Sequence, residues 1–153
     1  MKKVLKTEQV MDAFNILNAA TYKKLDDADK VKLWKIARAM KPVAKPFEED
    51  SKDAAEKLKP ENLDTQLEKA RDYEAKKQNG DDDLPMTDAE YQAFIREVWT
   101  PFNQLVAKAV REFADKEVEI DFEPLSEEAF GKLMASNDWT IQKADVIGNL
   151  IIE

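Results

Sequence analysis

Histidine and cysteine are both missing from this 153-residue chain, and the two absences remove most familiar active-site chemistry. Without cysteine there is no disulfide framework, no thiol nucleophile and no thiolate metal ligand. Without histidine, Ser-His-Asp and Cys-His catalysis, the usual zinc sites and the Glu-x-x-His motif of di-iron bundles are gone as well. Glycine numbers 3 and proline 6, while 37% of residues are charged, a balance that predicts helices joined by few tight turns. No apolar run reaches membrane-spanning length. The opening MKKVLKTEQV carries lysines with no apolar signal core behind them, so a soluble, unexported protein is expected. No glycine-rich phosphate loop occurs, and the three serines have no base to activate them.

What is present is helical periodicity and a division of charge. Residues 1–47 hold 11 Lys/Arg against 5 Asp/Glu, a net +6, and residues 48–153 hold 13 against 27, a net −14. Such a division suits either a basic patch for nucleic acid or an acidic partner, or two regions that neutralise each other across a hairpin or between subunits. Mutual neutralisation is the preferred reading.

Within Asp26–Leu58, the residues Leu33, Ile36, Ala37, Met40, Ala44 and Phe47 recur at spacings of three and four, the stripe of an amphipathic helix. A second stripe runs through Tyr91, Phe94, Ile95, Val98, Phe102, Leu105, Val106, Ala109 and Phe113. Facing each other, the two predict an antiparallel hairpin. Val10, Ala13, Phe14, Leu17 and Ala20 supply a shorter helix, with Thr7 as its cap; Asp26 suits the cap of the central helix. Pro42 and Pro46 predict a break or sharp bend there, and Pro101 a kink rather than a stop, because the apolar phase continues through it. Pro60 is read as opening a helix with the narrow stripe Leu63, Leu67 and Ala70, which Asn79-Gly80 ends. Thr87-Asp88-Ala89-Glu90 reads as a capping box, with Met86 stapled on Tyr91. EVEIDF, residues 117–122, alternates with period two and predicts a strand, for which KKVLK at residues 2–6 is the available partner. Ser126 caps a helix with Phe130, Leu133 and Met134, and Thr140 or Asp138 begins a last one.

The expected fold class is therefore mainly α: an antiparallel helical hairpin or bundle with kinked long helices and a small two-stranded β ribbon. It is read as a single helical domain over 1–153, with 59–86 as a peripheral acidic helix and loop.

Candidate chemistry is sparse. Asp81-Asp82-Asp83 beside Gly80 does not have EF-hand spacing and reads as a solvated loop, so no metal or other cofactor is expected. The basic region has Tyr22 and Trp34 among its lysines, the composition of a single-strand binder and equally of a solvated helix face. Trp34 falls beside the apolar stripe, not within it. Trp34, Lys32, Lys35, Arg38 and Lys41 are accordingly the candidate partner surface.

Two stretches carry a resemblance: Leu33-x-x-Ile36-Ala37 leading to Phe47-Glu48-Glu49, and Glu117 to Ser126 with its strand followed by Pro124-Leu125-Ser126. Together they cover about a third of the chain. In them, and in its order of elements, the chain resembles small uncharacterised helical proteins encoded by tailed phages and prophages. Pro42, Pro46 and the segment 59–86 depart from that pattern. The resemblance implies a long helical hairpin closed by a two-stranded ribbon, and it brings no catalytic motif. The functional expectation is a non-enzymatic, phage-encoded protein acting through protein–protein contacts, in particle assembly or another infection step. A nucleic-acid-associated protein using the basic face of 1–47, or an acidic inhibitor of a host nucleic-acid enzyme, are the alternatives. The expected partner is a phage-encoded protein, with a homo-oligomer open, no membrane, and no nucleic acid in the preferred reading. The expected location is the cytoplasm of the bacterial host or the phage particle.

Overall fold

The structure is a computed structural model that describes residues 1–152. In chain order it runs β1 (Lys2–Lys6), α1 (Thr7–Ala19), α2 (Asp27–Leu58), α3 (Leu63–Gln78), α4 (Asp88–Phe94), a π-helical turn (Ile95–Trp99), α5 (Thr100–Asp115), β2 (Glu117–Asp121), α6 (Glu127–Ser136) and α7 (Ile141–Ile151). The protein is mainly helical with one small antiparallel ribbon. Two compact units divide it: Met1–Asp50 together with the chain from Glu112 onward, and Ser51–Arg111.

In the first unit β1 pairs with β2 in the register Lys2↔Asp121 through Lys6↔Glu117. The alternation of KKVLK and EVEID turns Leu5, Val118 and Ile120 inward, where they pack on the core. Across the ribbon Lys2 faces Glu119 at 3.2 Å, an exposed pair worth well under about 1 kcal/mol. The core gathers Val10, Ala13 and Leu17 of α1, Leu33, Ile36 and Met40 of α2, Leu125 after the ribbon, Leu133 of α6 and Ile147 and Ile151 of α7. The main-chain amide of Leu125 donates to Ile151 at 2.7 Å and that of Phe122 to Met1 at 3.0 Å, so both ends of the chain are tied to the same core.

Most residues of the two long stripes belong to separate apolar clusters. The α2 stripe is buried by α1, α6, α7 and the ribbon, whereas Tyr91, Phe94, Ile95, Val98 and Phe102 pack with Leu63, Leu67 and Ala70 of α3 in the second unit. At Phe47 and Phe113 the stripes do line a common hollow, with Thr7 and Val118. Period identifies which face of a helix is buried, but every 3.6-residue stripe looks alike and none names its partner. The narrow stripe of α3 finds such a partner within the second unit. That stripe, with Tyr73, is the complement of the α4 face, and Leu63, Ala70 and Tyr73 are buried.

Four helix starts follow their side chains. The amide of Asp29 donates to Asp26 at 2.9 Å, Glu90 to Thr87 at 3.1 Å, Ala129 to Ser126 at 3.1 Å and Lys143 to Thr140 at 3.2 Å. The Glu90 carboxylate meets the Thr87 hydroxyl and not a main-chain amide, so the capping box is half formed. Thr7 departs from its expected role. Its hydroxyl donates to the Lys116 carbonyl at 2.7 Å, clamping the strand–helix junction to the end of α5, while Gln9 accepts from the Lys6 amide. The helix expected from Pro60 begins instead at Leu63, because Asn62 adopts a left-handed conformation (φ 63°) that interrupts it. It ends as expected: Gly80 at φ 76° lets the amides of Gly80 and Asp81 turn back to Lys77 and Lys76.

The prolines are absorbed. Helix α2 passes through Pro42 and Pro46 unbroken, correcting the expected break. Both rings are exposed and lie four residues apart, so the carbonyls they leave unpaired, at Arg38 and Pro42, lie on the solvent side. Met40, Ala44 and Phe47 stay in phase, and their burial offsets the cost of about 3 kcal/mol per interior proline. Pro101 follows the π-helical turn, where the Thr100 amide reaches back five residues to Ile95. The wider turn makes room for the ring without ending the helix.

Candidate functional site

A groove lined by aromatic and cationic side chains lies where α1 and the loop after it run beside α2. Phe14 and Asn18, four residues apart on α1, and Tyr22 beyond its end form one wall; Trp34, Ala37, Arg38, Lys41 and Lys45 form the other. The groove holds about 480 Å³. Trp34, Arg38, Lys41 and Lys45 are spaced by four, three and four residues, so their side chains make one ridge along α2. The Arg38 guanidinium sits 5.1 Å from the Trp34 ring centroid, a cation–π contact that orients both. Trp34 itself is 53% exposed.

No carboxylate lines the groove, and among the described residues Arg38, Lys41 and Lys45 make no ion pair. Tyr22 is half buried; its hydroxyl donates to the Leu17 carbonyl at 3.2 Å, and burial raises its pKa above the ordinary phenol value. The polar groups facing the hollow are thus a guanidinium, two ammoniums and an amide. This set recognises hydrogen-bond acceptors and negative charge, and it contains no nucleophile–base pair.

Of the five residues singled out in the sequence, the structure brings together Trp34, Arg38 and Lys41 and adds Lys45 with the α1 wall. Lys32 lies on another side of α2, paired with Glu123 at 3.4 Å, and Lys35 is exposed without lining the groove. Phe14, Asn18 and Lys45 were not among the five. Lys45 is reachable by continuing the four-three-four spacing, whereas the α1 wall depends on which helices become neighbours.

A second hollow, in the other unit, is lined by Tyr73, Glu74, Lys77, Asp88 and Tyr91. The rings of Tyr73 and Tyr91 stack at 4.5 Å between centroids. Its charged and phenolic groups are paired with one another: the Tyr73 hydroxyl and Lys77 both reach Asp88, and the Tyr91 hydroxyl reaches Glu74. Lys77 and then Tyr73 hold the Asp88 carboxyl below the usual range. The cluster ties α3 to α4. The acidic loop at Asp81–Asp83 is exposed, with Asp83 at 3.9 Å from Lys76.

No family model, no curated protein and no solved structure matches the chain. Among the described residues no helix is long and apolar enough to cross a membrane.

Proposed function

We propose that this is a non-enzymatic, phage-encoded interaction protein that serves particle assembly or another step of infection by docking a partner protein in the α1–α2 groove. One observation carries the reading. A tryptophan stands half exposed on a ridge of three cations that make no ion pair among the described residues. Exposed aromatic and arginine anchors of this kind concentrate binding energy in interfaces.

The basic and aromatic composition also favours a second reading, a nucleic-acid-associated protein. Photo-crosslinking from position 18, with p-benzoylphenylalanine replacing the exposed, groove-lining Asn18 in infected cells, separates the two. Adducts with a phage structural or assembly protein are the expected result. Adducts with nucleic acid select the second reading, and the absence of any adduct overturns docking at this groove.

A further inference from the structure

The groove's own chemistry specifies what kind of segment it receives. We infer that its occupant is an acidic segment of another protein, carrying one apolar anchor residue between carboxylates. The inference rests on the interaction reading above and names the chemistry of its partner.

Three features lead to that occupant. The first is the ridge. Arg38 and Lys45 are two helical turns apart, about 10 Å at 1.5 Å per residue, with Lys41 between them. Carboxylates one turn apart on a partner helix repeat at the same interval, so each can meet its own cation. The second is the apolar part of the lining, Phe14, Ala37 and the Trp34 ring, beside the cations. An apolar side chain of the partner can rest against that lining, in the manner of a helix laid into a groove. The third is the lack of internal competition. No carboxylate lines the groove, so binding replaces solvent around the cations and breaks no existing ion pair.

A single-stranded nucleic acid fits the same charges less well. Binding without sequence preference relies on a series of aromatic platforms for successive bases. Here one ring is exposed and Arg38 already lies over it, while the Tyr22 hydroxyl is tied to the main chain. A net charge of −8 also opposes approach of a phosphate polymer more than that of a short carboxylate segment.

The test reads the captured sequence. Adducts formed from position 18, on the groove wall, are digested, and the crosslinked peptide is identified by mass spectrometry. A net-acidic segment with an aliphatic or aromatic residue among its carboxylates is expected. Its synthetic, fluorescein-labelled copy should bind the wild-type protein, with affinity falling at least about ten-fold for Arg38→Glu/Lys41→Glu, comparably for the milder Lys41→Gln/Lys45→Gln, and not for Lys143→Glu. A neutral or basic captured segment, or an affinity indifferent to the two groove variants, overturns the inference while leaving a protein-docking groove in place. Capture of residues 81–83 of a second copy overturns the assignment to another protein. Capture of nucleic acid, or of nothing, defeats the interaction reading itself.

Discussion

The ammonium of Lys3, in the first strand, donates to the carbonyl of Leu150, in the last helix, at 2.8 Å. It also reaches the carbonyls of Asn149 and Ile152, at 3.3 and 3.2 Å. A cation at the carboxyl end of α7 satisfies carbonyls that have no partner within the helix and complements the helix dipole. Partial burial lowers the Lys3 pKa, a cost borne for that position.

Replacing Lys3 by Met keeps the stem and removes the donor. The expected loss is about 1–2 kcal/mol, from one charge-assisted cap at a partly exposed site. Urea denaturation of the variant measures it, and Lys3→Arg should recover most of the loss. A change in midpoint too small to resolve would show that water caps α7 equally well.

The core assignments separate two residues that sequence periodicity treats alike. Leu33→Ala, at a fully buried position, should cost about 2–5 kcal/mol. Leu105→Ala, in the stripe of α5 but 49% exposed, should cost less than about 0.5 kcal/mol. Equal losses at both sites would mean that Leu105 is covered in solution.

Two glycines should respond to alanine in opposite directions. Gly131 lies within α6 with open space where a β-carbon would stand, so Gly131→Ala should stabilise by about 0.5–1 kcal/mol through backbone entropy and helix propensity. Gly80 also has open space, but its φ of 76° penalises any β-carbon, and Gly80→Ala should destabilise by about 1 kcal/mol. Thermal melts of the two variants give the signs directly.

Asp88 fixes a pH dependence in the second unit. Lys77, then Tyr73, lowers its folded-state pKa below the ordinary 3.8, so its ionised form is favoured by folding. The contribution is present in full above the unfolded value and is lost as pH falls from there through the folded value. Asp88→Asn should flatten the decline in stability below about pH 4 relative to wild type, while Asp83→Asn should leave it unchanged. Hydrogen exchange of the α3 and α4 amides between about pH 5 and about pH 2.5, corrected for intrinsic rates, is the measurement. Parallel declines in the two variants would exclude the Asp88 contribution.

How far the chain can be read without its structure depends on the range of each interaction. The caps at Asp26, Thr87, Ser126 and Thr140 involve residues three apart and are legible. So is the ribbon, because period-two alternation appears in just two suitable stretches. Thr7 reads as a cap because its actual partner, Lys116, is distant in sequence and invisible to local pattern. The burial partners of the α2 stripe are hidden for a related reason: two long stripes in one chain suggest each other, yet α1, α6 and α7 pack on the first and α3 packs on the second as far as Phe102. Within the groove, Trp34, Arg38 and Lys41 are legible as neighbours on a helix. Lys32 and Lys35 are drawn in by composition, which ignores the roughly 100° each residue adds around the axis. Phe14 and Asn18 need the packing of α1 on α2.

The first unit is assembled from both ends of the sequence, with the second unit's residues between them. During synthesis, then, α1 and the start of α2 leave the ribosome with Leu17, Leu33 and Ile36 still lacking Leu133, Ile147 and Ile151 to cover them. At about 5–20 residues per second the wait for those residues lasts several seconds. Throughout that interval the nascent chain displays a sticky surface that a chaperone can hold, while Ser51–Arg111 has all the residues of its own small core. Late, slow completion of the older half is thus written into the order of the elements, and a ribosome stalled before α6 should present a protease with an intact middle and a cleavable beginning.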